Sequence, residues 1–147
     1  MRELTVNRIP SRQQIERLQT EIAKLPQLEL PTSHYFSGGM YCRKMRLPKD
    51  ALLVGKVHKH AHFFMCMAGE MIVWTETGMR HLFAGDVVES EAGTKRTILC
   101  VTDAIGINVH RTDKTDLNEI EAELIEPDDT ALFDAANTLK KGALPCS

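Results

Sequence analysis

The sequence predicts a mainly β fold, an antiparallel β-barrel or sandwich flanked by one N-terminal helix and two C-terminal helices. Three observations predict it. Turn signals recur between Ser33 and Arg111 at Gly38-Gly39, Pro48-Lys49-Asp50, Ala68-Gly69-Glu70, Thr77-Gly78, Ala84-Gly85-Asp86, Glu91-Ala92-Gly93 and Thr102-Asp103, the spacing of short antiparallel strands. Apolar residues at helical spacing occur only outside that stretch. The chain has 147 residues, 43% of them apolar, which suits one globular domain with a real core and leaves no length for a second.

The first element is an amphipathic helix. Ile15, Leu18, Ile22 and Leu25 recur three and four apart, Ser11 stands at the N-cap position and Pro26 terminates the pattern. Its polar face, with Arg12, Glu16, Arg17 and Glu21, reads as solvated surface, so the helix has a packing role. Candidate strands follow at 34–36, 40–46, 52–56, 60–67, 71–76, 79–83, 87–89, 96–101 and 105–110. The helical period returns after Arg111: Leu117, Ile120 and Leu124 share a face behind Asp116 and Glu119, a capping-box pattern ended by Pro127. A second C-terminal helix is expected over 130–140, with Leu132, Phe133, Ala136 and Leu139 on one side and Gly142 closing it. The expected division is one domain over 1–147, with a helical segment at 1–30, a β-barrel at 33–111 and C-terminal helices at 115–141.

Charge and composition exclude several function classes. Basic and acidic side chains number 18 and 20, and the acidic excess lies in residues 113–147, which hold 9 acidic against 3 basic side chains. There is neither the basic face nor the aromatic content for nucleic-acid binding. No apolar run reaches the ~18–20 residues of a membrane span, and the first residues lack signal-peptide character, so a cytoplasmic location is expected. Cys42, Cys66, Cys100 and Cys146 include no C-x-x-C pair. That argues against a disulfide framework or zinc ribbon and makes Cys66 and Cys100 small core residues. Trp74 and the pair Met65 and Met67 read as core or subunit-interface residues, and His81 as structural.

The informative segment is VHKHAHFF, with His58, His60 and His62 at a spacing of two. On a strand those side chains share a face. Imidazole is a ligand for zinc, iron, nickel and copper, so the cluster points to a metal, against the alternative of a structural or pH-responsive cluster. Residues four apart on a straight strand are separated by roughly 13 Å. Convergence of His58 and His62 on one ion therefore requires a bend near 59–61.

At these residues the sequence resembles the cupin superfamily, whose motifs read G-x5-H-x-H-x3/4-E-x6-G and G-x5-P-x-G-x2-H-x3-N. Gly55, His58, His60, His62 and Gly69 lie along the first, with His62 where the family has Glu; two residues rather than five separate Gly55 from His58, and the gap from the His pair to His62 is shortened. Gly85, Glu91, Gly93, Arg96 and Cys100 fit the spacing of the second, with Glu91 for Pro, Arg96 for the ligand His and Cys100 for Asn. The resemblance covers about residues 40–110. It implies a double-stranded β-helix binding one divalent metal, with Fe, Zn, Ni and Mn undistinguished. More narrowly, LLVGKVHKHAH, EAGTKR and NVHRTDKTDLNEIE are similar to a group of small single-domain cupin-like proteins encoded by bacteriophages and their hosts. In that group the positions of His62 and Arg96 also carry His and Arg, while that of His60 varies. The resemblance thus ranks His58 and His62 ahead of His60, with His110 as a further ligand; the alternative for His110 is an edge residue bonded to the next turn.

Arg96 and Lys56 are the candidate anion-binding residues. A guanidinium fork takes carboxylate or phosphate in bidentate fashion, and Gly93 would let backbone approach a ligand. The alternative is that Arg96 pairs internally with Glu89 or Glu91. The expected function is a metal-binding cupin-like protein acting on or binding a small anionic molecule. If it is an enzyme, it is a metal-dependent oxygenase, isomerase or lyase. The alternatives are a non-enzymatic ligand-binding or assembly module, or a phage accessory protein acting on host metabolites or defence signals in the host cytoplasm. A homodimer or higher homo-oligomer is expected from the apolar face of Leu117, Ile120, Leu124, Leu132 and Phe133.

Overall fold

The structure is a computed structural model and describes residues 9–140. Helix α1 spans Arg12–Ala23. Its start is held by a reciprocal cap in which the Gln14 N–H donates to Ser11 Oγ at 3.1 Å and the Ser11 N–H to Gln14 Oε1 at 2.9 Å. Ile15 is its buried anchor. Arg12 grips Glu76 through two guanidinium nitrogens, at 2.7 and 3.1 Å, and also reaches the carbonyl of Gly93. The helix is thereby tied to the barrel at two points.

Nine strands follow: β1 Thr32–Ser37, β2 Met40–Leu47, β3 Leu52–Val54, β4 His62–Ala68, β5 Glu70–Thr75, β6 Gly78–Phe83, β7 Val87–Ser90, β8 Thr97–Cys100 and β9 Ala104–Arg111. They form a five-stranded sheet in the order β1-β2-β9-β4-β7 and a four-stranded sheet in the order β3-β8-β5-β6. Every pairing is antiparallel.

The expected strand at 60–67 begins instead at His62. The backbone before it is held elsewhere: Lys59 N–H donates to the Leu124 carbonyl at 2.7 Å and His58 bridges Ile125. Helix α2, Leu117–Leu124, supplies that clamp and is N-capped by Asp116, whose side chain accepts from the Glu119 N–H.

The second C-terminal helix does not form. Residues 128–140 fold as turns and a single bridge between Phe133 and Leu139. Asp134 Oδ1 accepts from the N–H groups of Ala136 and Thr138, and Asp128 Oδ1 from Thr130. Asn137 takes a left-handed conformation, φ 66°. Short polar side chains that bond nearby backbone compete with a helix, and here they outweigh the apolar periodicity. Gly142 and Cys146 lie outside the described residues.

Inward positions change character along the five-stranded sheet. Residues paired across an antiparallel ladder share a face, so Tyr41, Arg43, Met45 and Leu47 of β2 lie beside His110, Asn108, Gly106 and Ala104 of β9. His62, Phe64 and Cys66 of β4 continue the rows. One end is apolar: Met45, Leu47, Phe64, Cys66 and Ala104 join Met71, Val73, Leu82, Ile98 and Cys100 of the facing sheet in one core. Cys66 and Cys100 are core residues, as expected. The other end is lined with histidine, arginine and asparagine.

Candidate metal centre

Three histidines meet at the polar end. His58 comes from the loop before β4, His62 from the first residue of β4 and His110 from near the end of β9. Their ring centroids lie 4.1 to 4.7 Å apart. Convergence of His58 and His62 confirms the bend required between them. The His58 loop is fixed from two sides, by Ile125 and by the Gly93 N–H, which donates to the His58 carbonyl at 2.9 Å. Gly93, φ 82°, thus turns the 91–94 loop onto a ligand-bearing loop.

The donor chemistry fits a metal ion. The three donor atoms lie within 4.8 Å of one another. Two nitrogens each ~2.1 Å from one ion are at most ~4.2 Å apart, so small ring rotations suffice. His62 Nδ1 lies 3.2 Å from the carbonyl of His60. A carbonyl only accepts, so Nδ1 carries the proton and Nε2 presents its lone pair. That Nε2, like Nδ1 of His58, is buried without a hydrogen-bond partner. Buried polar atoms are rarely left bare, and a shared cation would satisfy both.

The imidazoles are held neutral. Burial lowers His62 to about 4, with Arg96 acting in the same direction. Burial, then the fields of His62, Arg43 and Arg96, lowers His110 to about 3. Burial and the neighbouring histidines and arginines lower His58 strongly. Neutral imidazole is the form that binds metal. Protons bind the unfolded chain first, so metal-free stability is complete above the ordinary histidine pKa of ~6.5 and falls as pH drops towards 4. From His62 alone the loss between pH 6.5 and 5 is about 1.5 kcal/mol. A urea midpoint for metal-free protein unchanged between pH 7 and 5 would contradict this protonation scheme.

His60, expected as a third member of the set, is exposed and lies outside the trio. The segment is not an extended strand there, so the two-residue spacing no longer puts it on the shared face. Its carbonyl orients His62 instead. His110 sits on β9, an interior strand of its sheet, and completes the cluster.

Arg96 is buried beneath the trio. Its Nη1 donates to Ser90 Oγ at 2.7 Å and its Nη2 to Asn108 Oδ1 at 3.1 Å, and its guanidinium lies 4.2 Å above the Phe64 ring. Phe64 in turn rests against Gly106, where a Cβ would come within 3.2 Å of the ring. The expected internal partners Glu89 and Glu91 are not engaged; both hydrogen-bond partners are neutral. Burial lowers Arg96 to about 10, which leaves it charged at neutral pH. Lys56, expected to bind an anion with Arg96, is occupied by Glu121 at 2.6 Å and the Phe133 carbonyl at 2.9 Å, so it secures α2 to the barrel. His81 pairs with Glu70 at 2.5 Å on the four-stranded sheet.

Two neighbours of the trio escaped the sequence reading. Tyr41 is buried against Ile120 and Leu124, stacks on His110 at 6.2 Å and contacts His34 Nδ1 through its hydroxyl at 2.7 Å. Asn108 joins Arg96 to β9. Their signal was the alternation Asn108, His110 two residues apart, visible once β9 is known to face inward there.

No family model matches the sequence, and no curated protein does. Solved structures match by fold. An RmlC-like cupin from Shewanella frigidimarina superposes with a TM-score of 0.51 at 22% identity, over 60% of this chain and 80% of that one. KdgF from Halomonas sp. gives 0.52 at 14%, over 60% and 83%. A cupin superfamily protein from Desulfitobacterium hafniense gives 0.50 at 10%, over 57% and 78%. With two antiparallel sheets closed around a core and a histidine trio at one end, the fold of this chain is that of the cupins.

Proposed function

We propose that this chain is a metal-binding cupin that takes a small anionic molecule at the polar end of its barrel. The observation that carries the reading is the histidine trio: neutral imidazoles from three separate segments, two with bare buried nitrogens. When bound, a divalent metal supplies Lewis acidity and open coordination positions. The chain contributes the rest. His60 and the 91–94 turn orient the donors, and Arg96, lacking a carboxylate partner, adds positive charge beneath them. The phage resemblance and a cytoplasmic setting belong to this reading as proposals; the structure contributes only that no described helix is long and apolar enough to cross a membrane.

Self-association remains part of the proposal on different ground. Ile120 and Leu124, expected at a subunit contact, are buried against Tyr41 of the same chain. Exposed apolar side chains lie instead on the five-stranded sheet, at Tyr35, Phe63, Met67 and Val87.

The test is metal analysis of the purified protein, followed by turnover measurements on a panel of carboxylates and phosphate esters. About one divalent metal per chain is expected. Turnover that disappears with chelator and returns with metal identifies an enzyme, and stoichiometric metal with binding but no turnover identifies a binding module. Protein that binds none of Zn, Ni, Mn or Fe(II) refutes the reading.

A further inference from the structure

Arg43 neither donates to the histidine trio nor bonds the groups that orient it. It lies on the inward face of β2, between the buried residues Tyr41 and Met45, paired in register with Asn108 of β9 and with His34 of β1. Asn108 bonds Arg96, and both arginines act on His58 and His110, so the two guanidinium groups face one region. Among the described residues Arg43 makes no hydrogen bond or ion pair. Besides the Tyr41 phenol, Glu121 is the one carboxylate whose field reaches it, and it is tied to Lys56 at 2.6 Å.

The region thus holds two arginines without a carboxylate bonded to either, and a divalent ion on the trio would add two more positive charges. Burying unpaired charge is costly, and a ligand of opposite charge removes the cost. The two arginines are not equivalent. Arg96 has spent donors on Ser90 and Asn108, whereas the Arg43 fork, also desolvated by burial, is uncommitted. An uncommitted guanidinium has the donor set for bidentate capture of an oxyanion.

We propose that Arg43 is the anion-recognition residue of this site and that its ligand is a small dianion, one oxyanion held by Arg43 and the second directed to the histidine trio. This deepens the function proposed above and rests on it for the second oxyanion; capture by Arg43 does not require the metal.

The experiment is calorimetric titration of wild type, R43Q and R43K, each metal-free and Ni(II)-loaded, with malonate, inorganic phosphate and neutral malonamide. Malonate or phosphate binds wild type and malonamide does not, and the preferred anion tells a dicarboxylate from a phosphate. R43Q weakens that binding at least tenfold in both metal states, with nickel still loading and the thermal midpoint not lowered. R43K, which keeps the charge and loses the fork, falls between. If none of Ni(II), Zn, Mn and Fe(II) loads while metal-free protein still binds the anion through Arg43, the metal reading falls and capture by Arg43 stands. If nickel loads and R43Q titrates like wild type, or wild type binds neither anion, or malonamide binds equally, the proposal is overturned.

Discussion

Replacing His62 or His110 by Ala is expected to reduce metal affinity by more than ~100-fold, beyond the loss typical of outer-sphere changes, while the chain stays folded. Each supplies one of only three donor atoms in the trio. The main core, from Leu30 to Ala104, includes none of the imidazoles. The informative control is His60→Ala. His60 orients His62 through its backbone carbonyl, which the substitution keeps, so its affinity should remain within a few-fold of wild type. Competition with a chromogenic chelator measures all three variants, with circular dichroism checking the fold. Equal loss in His60→Ala would show that the exposed ring is a ligand and that the trio is misassigned.

Gly69→Ala is expected to be the most damaging single methyl in the barrel. Gly69 joins β4 to β5 with φ 78°, a left-handed conformation that penalises any side chain. An added Cβ would also collide with the Asp103 carbonyl oxygen and lie 2.8 Å from Thr102 Oγ1 and 2.9 Å from Ala104 Cα. Two of those atoms are backbone and cannot swing away. The loops are stitched together there, since Val101 N–H donates to the Glu70 carbonyl at 2.9 Å and Glu70 N–H to Thr102 Oγ1 at 3.1 Å. Strain and overlap together should cost about 4 kcal/mol, lowering the thermal midpoint by roughly 10 °C or more. Gly38→Ala separates the two causes. Gly38 is also left-handed, φ 53°, but has open space around it, so only about 1 kcal/mol is expected. Equal midpoints for the two variants would remove the steric argument.

The β fold was legible because its cues are local. Gly and Asx turns punctuate the chain where the strands end, and period-two alternation needs no knowledge of partners. The α1 cap was legible for the same reason: Ser11 and Gln14 are three residues apart and bond each other. The same local reasoning failed at 130–140. There Asp134 and Asn137 divert the backbone into turns, and Asn137 Nδ2 donates to Thr32 Oγ1 at 2.9 Å, a partner 105 residues away.

By itself the sequence determined the chemistry available: a concentration of imidazoles near residue 60, an arginine at 96 and a chain of alternating strands. Only the tertiary structure decided which of those groups meet. His60 is closer in sequence to His62 than His110 is, yet His110 joins the trio and His60 does not, because sheet register sets β9 against β4, with Phe63 opposite Val109, while the bend at 59–61 turns His60 outward. Lys56 and Arg43 divided the same way: α2 returned Glu121 to Lys56 and gave Arg43 no bonded carboxylate. A side chain's type and spacing are encoded locally, but its partners depend on strand register and on which segment covers the barrel end, and both are settled by contacts distant in sequence.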